Sequence, residues 1–217
     1  MPGARSQKAC ASASVDMSYI MTGTMAKVLV VNHVTLDGVM QAPARPDEDT
    51  RDGFAHGGWA MARNDELMAA KIGERMTGDR AFLFGRRTYE DFYAVWPNRP
   101  GNPFSEALTN TTKYVTSRSL TEPLPWDNSI LLSGDAAEQV AELKQQRDGT
   151  LTMFGSGELI GELVAADLID EYLLMTHPIV LGSGRRLFGA GRSSELELID
   201  AVTTDMGVVI AGYRRPR

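Results

Sequence analysis

A basic turn near the middle of the chain has the residue types that bind phosphate. Gly85-Arg86-Arg87-Thr88 follows a short apolar run at residues 81–84 and leads into an amphipathic helical pattern, which predicts a buried strand, a turn and a helix. The unpaired N–H groups and partial positive charge of a helix start attract anions. The guanidinium groups and the threonine hydroxyl could add hydrogen bonds to a phosphate. The same residues could also be a basic helix start with solvated arginines, and this stretch alone does not separate the two interpretations.

A second polar strand end follows about thirty residues later. Thr116-Ser117-Arg118 comes directly after the predicted strand 113–115. Two hydroxyls and a guanidinium suit a phosphate monoester, although an exposed loop could have the same composition.

A third strand end is rich in glycine. Gly155-Ser156-Gly157 follows a short apolar strand and precedes a helix predicted to begin at Glu158. This helix start offers another place where a pyrophosphate could lie. It is not the dinucleotide-binding fingerprint, because the next glycine, Gly161, comes one residue too late and the turn does not open the first βα unit.

Candidate substrate contacts lie elsewhere in the chain. Asp37-Gly38 ends the first predicted strand, and its acid is either a site residue or simple turn chemistry. Residues 41–59 form a long irregular stretch typical of a lid or binding segment, and it ends at Trp59. A later loop with two glycines and two arginines, including Arg185, could bind a substrate anion or form a tight exposed turn.

Composition excludes several classes of protein. The chain has 217 residues, a net charge of −6 and a pI of about 5.1, which argues against a broad nucleic-acid surface and requires any anion site to be local. No apolar run has the roughly 18 residues of a membrane span. A single cysteine, Cys10, excludes an internal disulfide framework and a multi-cysteine zinc site, and fits a cytoplasmic protein. The three histidines, His33, His56 and His177, are far apart in sequence, which argues against a metal site.

The pattern of elements predicts one domain. Residues 1–24 show no structural period and no signal-peptide core, so we expect a disordered leader or extension before a domain at residues 25–217. Asn64 is expected to cap a helix running to about Met76. The last fifty residues contain several strand-like runs, including residues 179–181, without a long helix between them, which predicts antiparallel or mixed sheet.

The order of the motifs is more specific than any one of them. In this order the chain resembles the dihydrofolate reductase-like superfamily, most closely the stand-alone relatives of the riboflavin-biosynthesis reductase domain, which is the C-terminal half of a bifunctional deaminase-reductase. The resemblance covers residues 27–213. The five motifs are residues 35–38, 85–89, 115–118, 154–157 and 178–184.

The resemblance implies an α/β, three-layer fold with a mostly parallel central sheet of about eight strands, flanking helices and a C-terminal antiparallel hairpin. It also implies an NADPH-dependent reductase of a small heterocyclic or ribosyl substrate, assembled as a homodimer. By that resemblance the cofactor phosphates would lie on Gly85, Arg86, Arg87 and Thr88, the 2′-phosphate on Thr116, Ser117 and Arg118, and the pyrophosphate and nicotinamide ribose on Gly155, Ser156, Gly157 and Glu158. The substrate would meet Asp37, Gly38, Trp59 and Arg185.

Two features depart from that family or stay open. No zinc deaminase signature is present, so the deaminase activity of the bifunctional enzyme is not expected. The proton for a reduction could come from Asp37, ranked first by its position at a strand end, or from Asp65 or Glu66 at the next helix start. The alternative to an enzyme is a non-catalytic NADP(H)-binding sensor or a structural homodimer.

Overall fold

The computed structural model describes residues 25–189 and 193–216, so the predicted leader lies outside the described residues. One sheet of eight strands forms its centre. The strands are β1 Lys27–Thr35, β2 Arg80–Gly85, β3 Lys113–Thr116, β4 Ser129–Leu132, β5 Thr150–Phe154, β6 Glu171–His177, β7 Glu197–Thr203 and β8 Val209–Arg214. Their spatial order is β4-β3-β2-β5-β1-β6-β8-β7.

The first six strands run parallel, and the last two form an antiparallel hairpin at the sheet edge. This confirms the predicted three-layer α/β fold. Parallel neighbours need a crossover, which helices provide for every parallel connection except β3 to β4, where residues 117–128 form a loop without a helix. β7 and β8 are joined by a short turn. Because the parallel strands all end at one edge, the polar residues that follow them are brought together there.

In the described part of the chain, five α-helices cover the two faces of the sheet. They are α1 Glu66–Arg75, α2 Arg86–Val95, α3 Pro103–Asn110, α4 Ala136–Gln146 and α5 Gly157–Ala165. Residues of α4 and α5 pack with β1 and β5 on one face, and α1, α2 and α3 cover the other face through residues such as Met68, Tyr89 and Leu108. Within the described ranges, no helix is long and apolar enough to cross a membrane.

Two local predictions were wrong. Asp65, not Asn64, caps α1, because its carboxylate accepts a hydrogen bond from the Met68 N–H at 2.9 Å. Residues 179–181 form no strand. The Leu181 N–H instead donates to the side chain of Asp37, which removes a donor that a sheet ladder would need.

Candidate functional site

A cavity of about 300 Å3 opens at the carboxyl ends of β2, β3 and β5. It lies where α2 and α5 begin, so the three polar strand ends identified in the sequence meet around one space. Of the predicted cofactor residues, all but Gly155 line it: Gly85, Arg86, Arg87, Thr88, Thr116, Ser117, Arg118, Ser156, Gly157 and Glu158.

Three helices begin at the cavity, α2, α4 and α5, and two of them, α2 and α5, lack side-chain caps. Asp65, Asn102 and Asp135 cap α1, α3 and α4 with side-chain oxygens. The corresponding residues of α2 and α5, Gly85 and Ser156, make no such bond. The first-turn N–H groups of both helices are therefore available to an anion, and both helix dipoles present their positive ends to the same cavity.

The two turns at the cavity are hydrogen-bonded to each other. The Gly85 N–H donates to Ser156 Oγ at 3.1 Å, and the Ser156 N–H donates to Thr88 Oγ1 at 2.9 Å. Gly155 and Ser156 both have left-handed φ values, 56° and 54°. A Cβ on Gly155 would lie 3.1 Å from Thr88. Thr88 was predicted to bind a phosphate. In the structure its hydroxyl oxygen also accepts a hydrogen bond from the turn at Gly155 and Ser156 and so positions that turn.

Asn32 is a functional candidate that sequence reasoning missed. Its side-chain Nδ2 donates to the Gly155 carbonyl at 3.2 Å, and its Oδ1 accepts from the Gly155 N–H at 2.7 Å. These two bonds hold the glycine turn in place from the neighbouring strand β1. The sequence signal for this role was an asparagine directly after the apolar run 28–31. Burying its amide without hydrogen-bond partners would cost free energy, and the structure shows that Asn32 is buried.

Glu158 accepts hydrogen bonds from three arginines. Arg87 donates to one carboxylate oxygen at 2.7 Å, and Arg51 and Arg185 donate to the other at 2.8 and 2.9 Å. Partial desolvation raises the pKa of Glu158, but the charges and hydrogen bonds of Arg87 and Arg51 lower it overall. Because Arg185 also binds Asp52 at 2.9 Å, this cluster joins the long segment after β1 to the start of α5.

Gln41 organises that long segment. Its Nε2 donates to the carbonyls of Asp49 and Arg51 at 3.2 and 3.1 Å, and its Oε1 accepts from the Arg185 N–H at 3.0 Å. The Trp59 indole N–H donates to the Gln41 carbonyl at 2.7 Å. Trp59 was predicted to contact substrate, but the residue is only 8 % exposed and packs in a hydrophobic cluster, which leaves little of it for a ligand.

Asp37 braces the turn after β1. Its carboxylate accepts from Thr35 Oγ1 at 2.6 Å and from the N–H groups of Leu181 and Gly182 at 3.2 and 2.9 Å. The Thr35 hydrogen bond, opposed by partial desolvation and aided by the two N–H donors, lowers the pKa of Asp37 to about 2. A carboxyl that is ionised at neutral pH holds no proton to give, which argues against Asp37 as the direct proton donor. Gly38, at φ 80°, belongs to the same turn.

Two of the three histidines, which are far apart in sequence, meet in the fold. His33 Nδ1 lies 2.9 Å from His177 Nε2, and the rings of Trp59 and His177 are nearly perpendicular with their centroids 5.2 Å apart. Burial and the neighbouring His177 lower the pKa of His33 to about 3, and burial and Arg63 lower the pKa of His177 to about 4. Both rings are therefore neutral at pH 7. In the described ranges, no group of three or more metal-ligating residues is present.

The histidine pair predicts a loss of stability in mild acid. In the unfolded chain His177 takes up a proton near its ordinary pKa of 6.5, whereas in the folded protein its pKa is lowered to about 4. The unfolded state therefore binds more protons between these two values, so the free energy of unfolding rises with pH across this window and falls as the pH is lowered. Between pH 7 and pH 4.5 this residue alone should cost about 2 kcal/mol of unfolding free energy. Urea unfolding of the wild type and His177→Phe across this range measures the difference. Parallel pH profiles of the two proteins would contradict the prediction.

Comparison with known proteins agrees with this architecture. The model of the RibD C-terminal domain family matches residues 26–210. The protein YyaP of Bacillus subtilis, itself uncharacterized, is 29% identical over 138 residues, which cover 60% of this chain and 71% of YyaP. The match to YwjB of the same organism, also uncharacterized, has 29% identity over 106 residues, 49% of this chain and 56% of YwjB.

Solved structures share the fold at low identity. A protein of Shewanella sp. PV-4 named for riboflavin biosynthesis has a TM-score of 0.64 and 21% identity, covering 88% of this chain and 99% of its own. Acinetobacter baumannii RibD has a TM-score of 0.59 and 14% identity over 90% of this chain and 59% of its own. Dihydrofolate reductase from Enterococcus faecalis, complexed with NADP(H), has a TM-score of 0.56 and 15% identity, covering 88% of this chain and 97% of its own.

The family match spans the first seven strands, the beginning of β8, both uncapped helix starts and the cavity between them. The chain therefore belongs to the RibD C-terminal domain family and has the dihydrofolate reductase-like fold.

Proposed function

We propose that this protein is an NADPH-dependent reductase that transfers hydride to a small heterocyclic or ribosyl substrate. The observation that carries the proposal is the convergence of two uncapped helix starts on one cavity lined by Arg86, Arg87 and Arg118. In a protein of net charge −6, such a local cluster suits a ligand with several phosphates.

The residues at the cavity fit the parts of the proposed cofactor. The N–H groups that open α2 and α5 would hold the diphosphate, and Ser117 and Arg118 at the end of β3 would meet the 2′-phosphate. When bound, NADPH supplies the hydride. The related fold of the Enterococcus faecalis dihydrofolate reductase, whose structure contains NADP(H), supports this choice of cofactor.

The chain's own residues would then position the substrate and limit access of water. The segment around Gln41 is tied to α2 by the ion pair of Arg45 with Asp91, so it can cover the carboxyl edge of the sheet. A reduction also needs a proton. Because Asp37 is ionised and hydrogen-bonded, solvent is the better source of this proton.

Cofactor binding followed by turnover tests the proposal. NADPH is titrated while tryptophan fluorescence is followed, and NADPH oxidation is then measured across a panel of pteridines, ribosylaminopyrimidines and quinone-like carbonyls. We expect saturable binding and substrate-dependent oxidation. The absence of binding at millimolar NADPH would contradict the cofactor and the activity together.

The second candidate is a sensor that binds NADP(H) without turnover. The ionised state of Asp37 favours it, because the acid ranked first from sequence is occupied in bracing a turn. Saturable NADPH binding with no oxidation by any member of the panel would support this function over the reductase.

Glu158 should weaken cofactor binding, because its carboxylate occupies the arginines that face the cavity. Glu158→Gln removes one negative charge and releases Arg87, and we expect the NADPH dissociation constant to fall about tenfold, or about 1.4 kcal/mol. Isothermal titration measures it. Glu162→Gln, one turn later and also at the cavity, is the control and should change the affinity less. Weaker binding by Glu158→Gln would instead indicate that Glu158 orients the arginines for the cofactor.

We also propose a homodimer formed through the C-terminal strands. β7 is a sheet edge exposed along nearly its whole length, and Leu198, Ile199 and Val209 leave 59, 40 and 40 % of their surfaces uncovered. Unpaired edges and apolar patches of this kind favour association. Light scattering should give a dimer for the wild type and a monomer for Leu198→Glu. A monomeric wild type would contradict the proposal.

A further inference from the structure

The contact between His33 and His177 lies at the end of the sheet where the candidate site is built. The two residues are 144 positions apart and are brought together because β1 and β6 are parallel neighbours, with Thr35 paired to His177. His33 directly follows Asn32, whose amide holds the Gly155 turn beside the cavity. Because successive strand residues face opposite sides of a sheet, the His33 ring lies on the face of β1 opposite to the Asn32 amide, the face that carries Leu29 and Val31.

The hydrogen-bond partners of the ring nitrogens indicate which nitrogen of each histidine carries the proton. A single hydrogen lies between His33 Nδ1 and His177 Nε2 when both rings are neutral. His177 is fully buried, and its Nδ1 has no partner among the described residues. A buried N–H without an acceptor is rarer in proteins than a buried acceptor without a donor, so Nδ1 carries the lone pair. His177 Nε2–H then donates to His33 Nδ1, and the proton of His33 is on Nε2.

The outer nitrogen of His33 is left for a ligand. Among the residues that the structure describes, none makes a hydrogen bond to Nε2 of His33, and this atom is not one of the buried unpartnered atoms. The other groups around the pair do not replace such a partner. The Trp59 ring packs nearly perpendicular to the His177 ring, and Arg63 is the charged neighbour of His177.

We propose that His33 is a specificity residue that donates its Nε2–H to a carbonyl oxygen of the substrate. The proposal rests on the proposed reductase function and narrows its substrate to compounds that present a carbonyl acceptor at the end of β1. The buried His177 fixes both the tautomer and the orientation of the His33 ring, as second partners of imidazole commonly do.

The neutral state of the ring determines what His33 can do. A neutral imidazole N–H polarises a carbonyl through a hydrogen bond but does not deliver its proton, and the lowered pKa values of both histidines keep the pair neutral at pH 7. His33 would thus select and orient the substrate while the proton comes from elsewhere. A ligand that offers only N–H donors at this position would face another donor and be rejected.

The tautomer can be measured without any ligand. The chain has only three histidines, so protein labelled with 15N-histidine gives three ring systems that His33→Gln and His56→Gln assign. At pH 7 we expect long-range 1H–15N spectra to show the Nε2–H tautomer for both His33 and His177. An Nδ1–H tautomer at His33 would overturn the proposal, because Nε2 would then be an acceptor.

Binding of two small probes tests the selectivity. To wild-type protein saturated with NADP+ we add 2-pyridone, which has a ring carbonyl, or aniline, which is of similar size and has N–H donors. We expect 2-pyridone to shift the His33 Nε2 resonance and aniline to leave it unchanged. No shift with 2-pyridone at millimolar concentration, or a preference for aniline, would overturn the proposal.

Substitutions complete the test. His33→Leu should weaken 2-pyridone binding about tenfold, whereas His33→Gln, which keeps an N–H donor, should stay within about threefold of the wild type. The exposed His56 provides the control His56→Leu, which should bind as the wild type does. Equal binding by the leucine and glutamine variants would overturn the donor role. Unchanged NADPH affinity in all three separates this outcome from a failure of the proposed cofactor site.

Discussion

Gly155→Ala is expected to destabilise the protein by about 2–3 kcal/mol and to remove most of its affinity for NADPH. An alanine at φ 56° is strained, and its Cβ would lie 3.1 Å from Thr88 Oγ1 and Cγ2. Thr88 would have to move and lose its hydrogen bond from the Ser156 N–H. The start of α5 would shift away from the start of α2, and the two helices would no longer present their N–H groups to one diphosphate.

A glycine inside the helix that follows this turn provides the control. Gly161 lies in the exposed interior of α5 with open space around it, so Gly161→Ala should raise the stability by about 1 kcal/mol through helix propensity. Urea unfolding and NADPH titration of both variants measure the contrast. Wild-type affinity in Gly155→Ala would show that the turn is not part of the cofactor site.

Arg118→Ala is expected to weaken the binding of NADPH by about 1.5–3 kcal/mol, roughly 10- to 100-fold, and to leave the binding of NADH nearly unchanged. A hydrogen bond to a charged phosphate has this strength, and only NADPH has the 2′-phosphate. The structure leaves Arg118 free to make it. Its side chain is 75 % exposed at the cavity, and its ion-pair partner Asp135 lies 3.8 Å away, longer than a hydrogen bond.

Dissociation constants for both cofactors, measured on wild type and variant, test this assignment. Arg99→Ala is the control, because Arg99 is an exposed arginine that lies over the Trp96 ring and does not line the cavity. It should bind both cofactors as the wild type does. Loss of both cofactors by Arg118→Ala, or of neither, would show that Arg118 does not recognise the 2′-phosphate.

Local sequence patterns determined the parts from which the site is built. The short apolar strands, the glycine turns and the amphipathic helices depend on residues close in the chain, and so do the caps Asp135 on α4 and Asn102 on α3. The resemblance to the family implied a mostly parallel sheet, in which the Gly85, Thr116 and Gly155 strand ends meet because parallel strands end at a common edge.

The tertiary structure alone decided what those parts contact. The bonds of Glu158 to Arg51 and Arg87, of Asp37 to Gly182, and of His33 to His177 each join residues at least 71 positions apart. Asp37, which the sequence favoured as a proton donor, thus stabilises a turn through its hydrogen bonds, and His33 and His177, which are far apart in sequence, form a pair. Such contacts depend on strand order, register and the path of long loops, which are set by the packing of the whole chain and leave no periodic signal in any one segment.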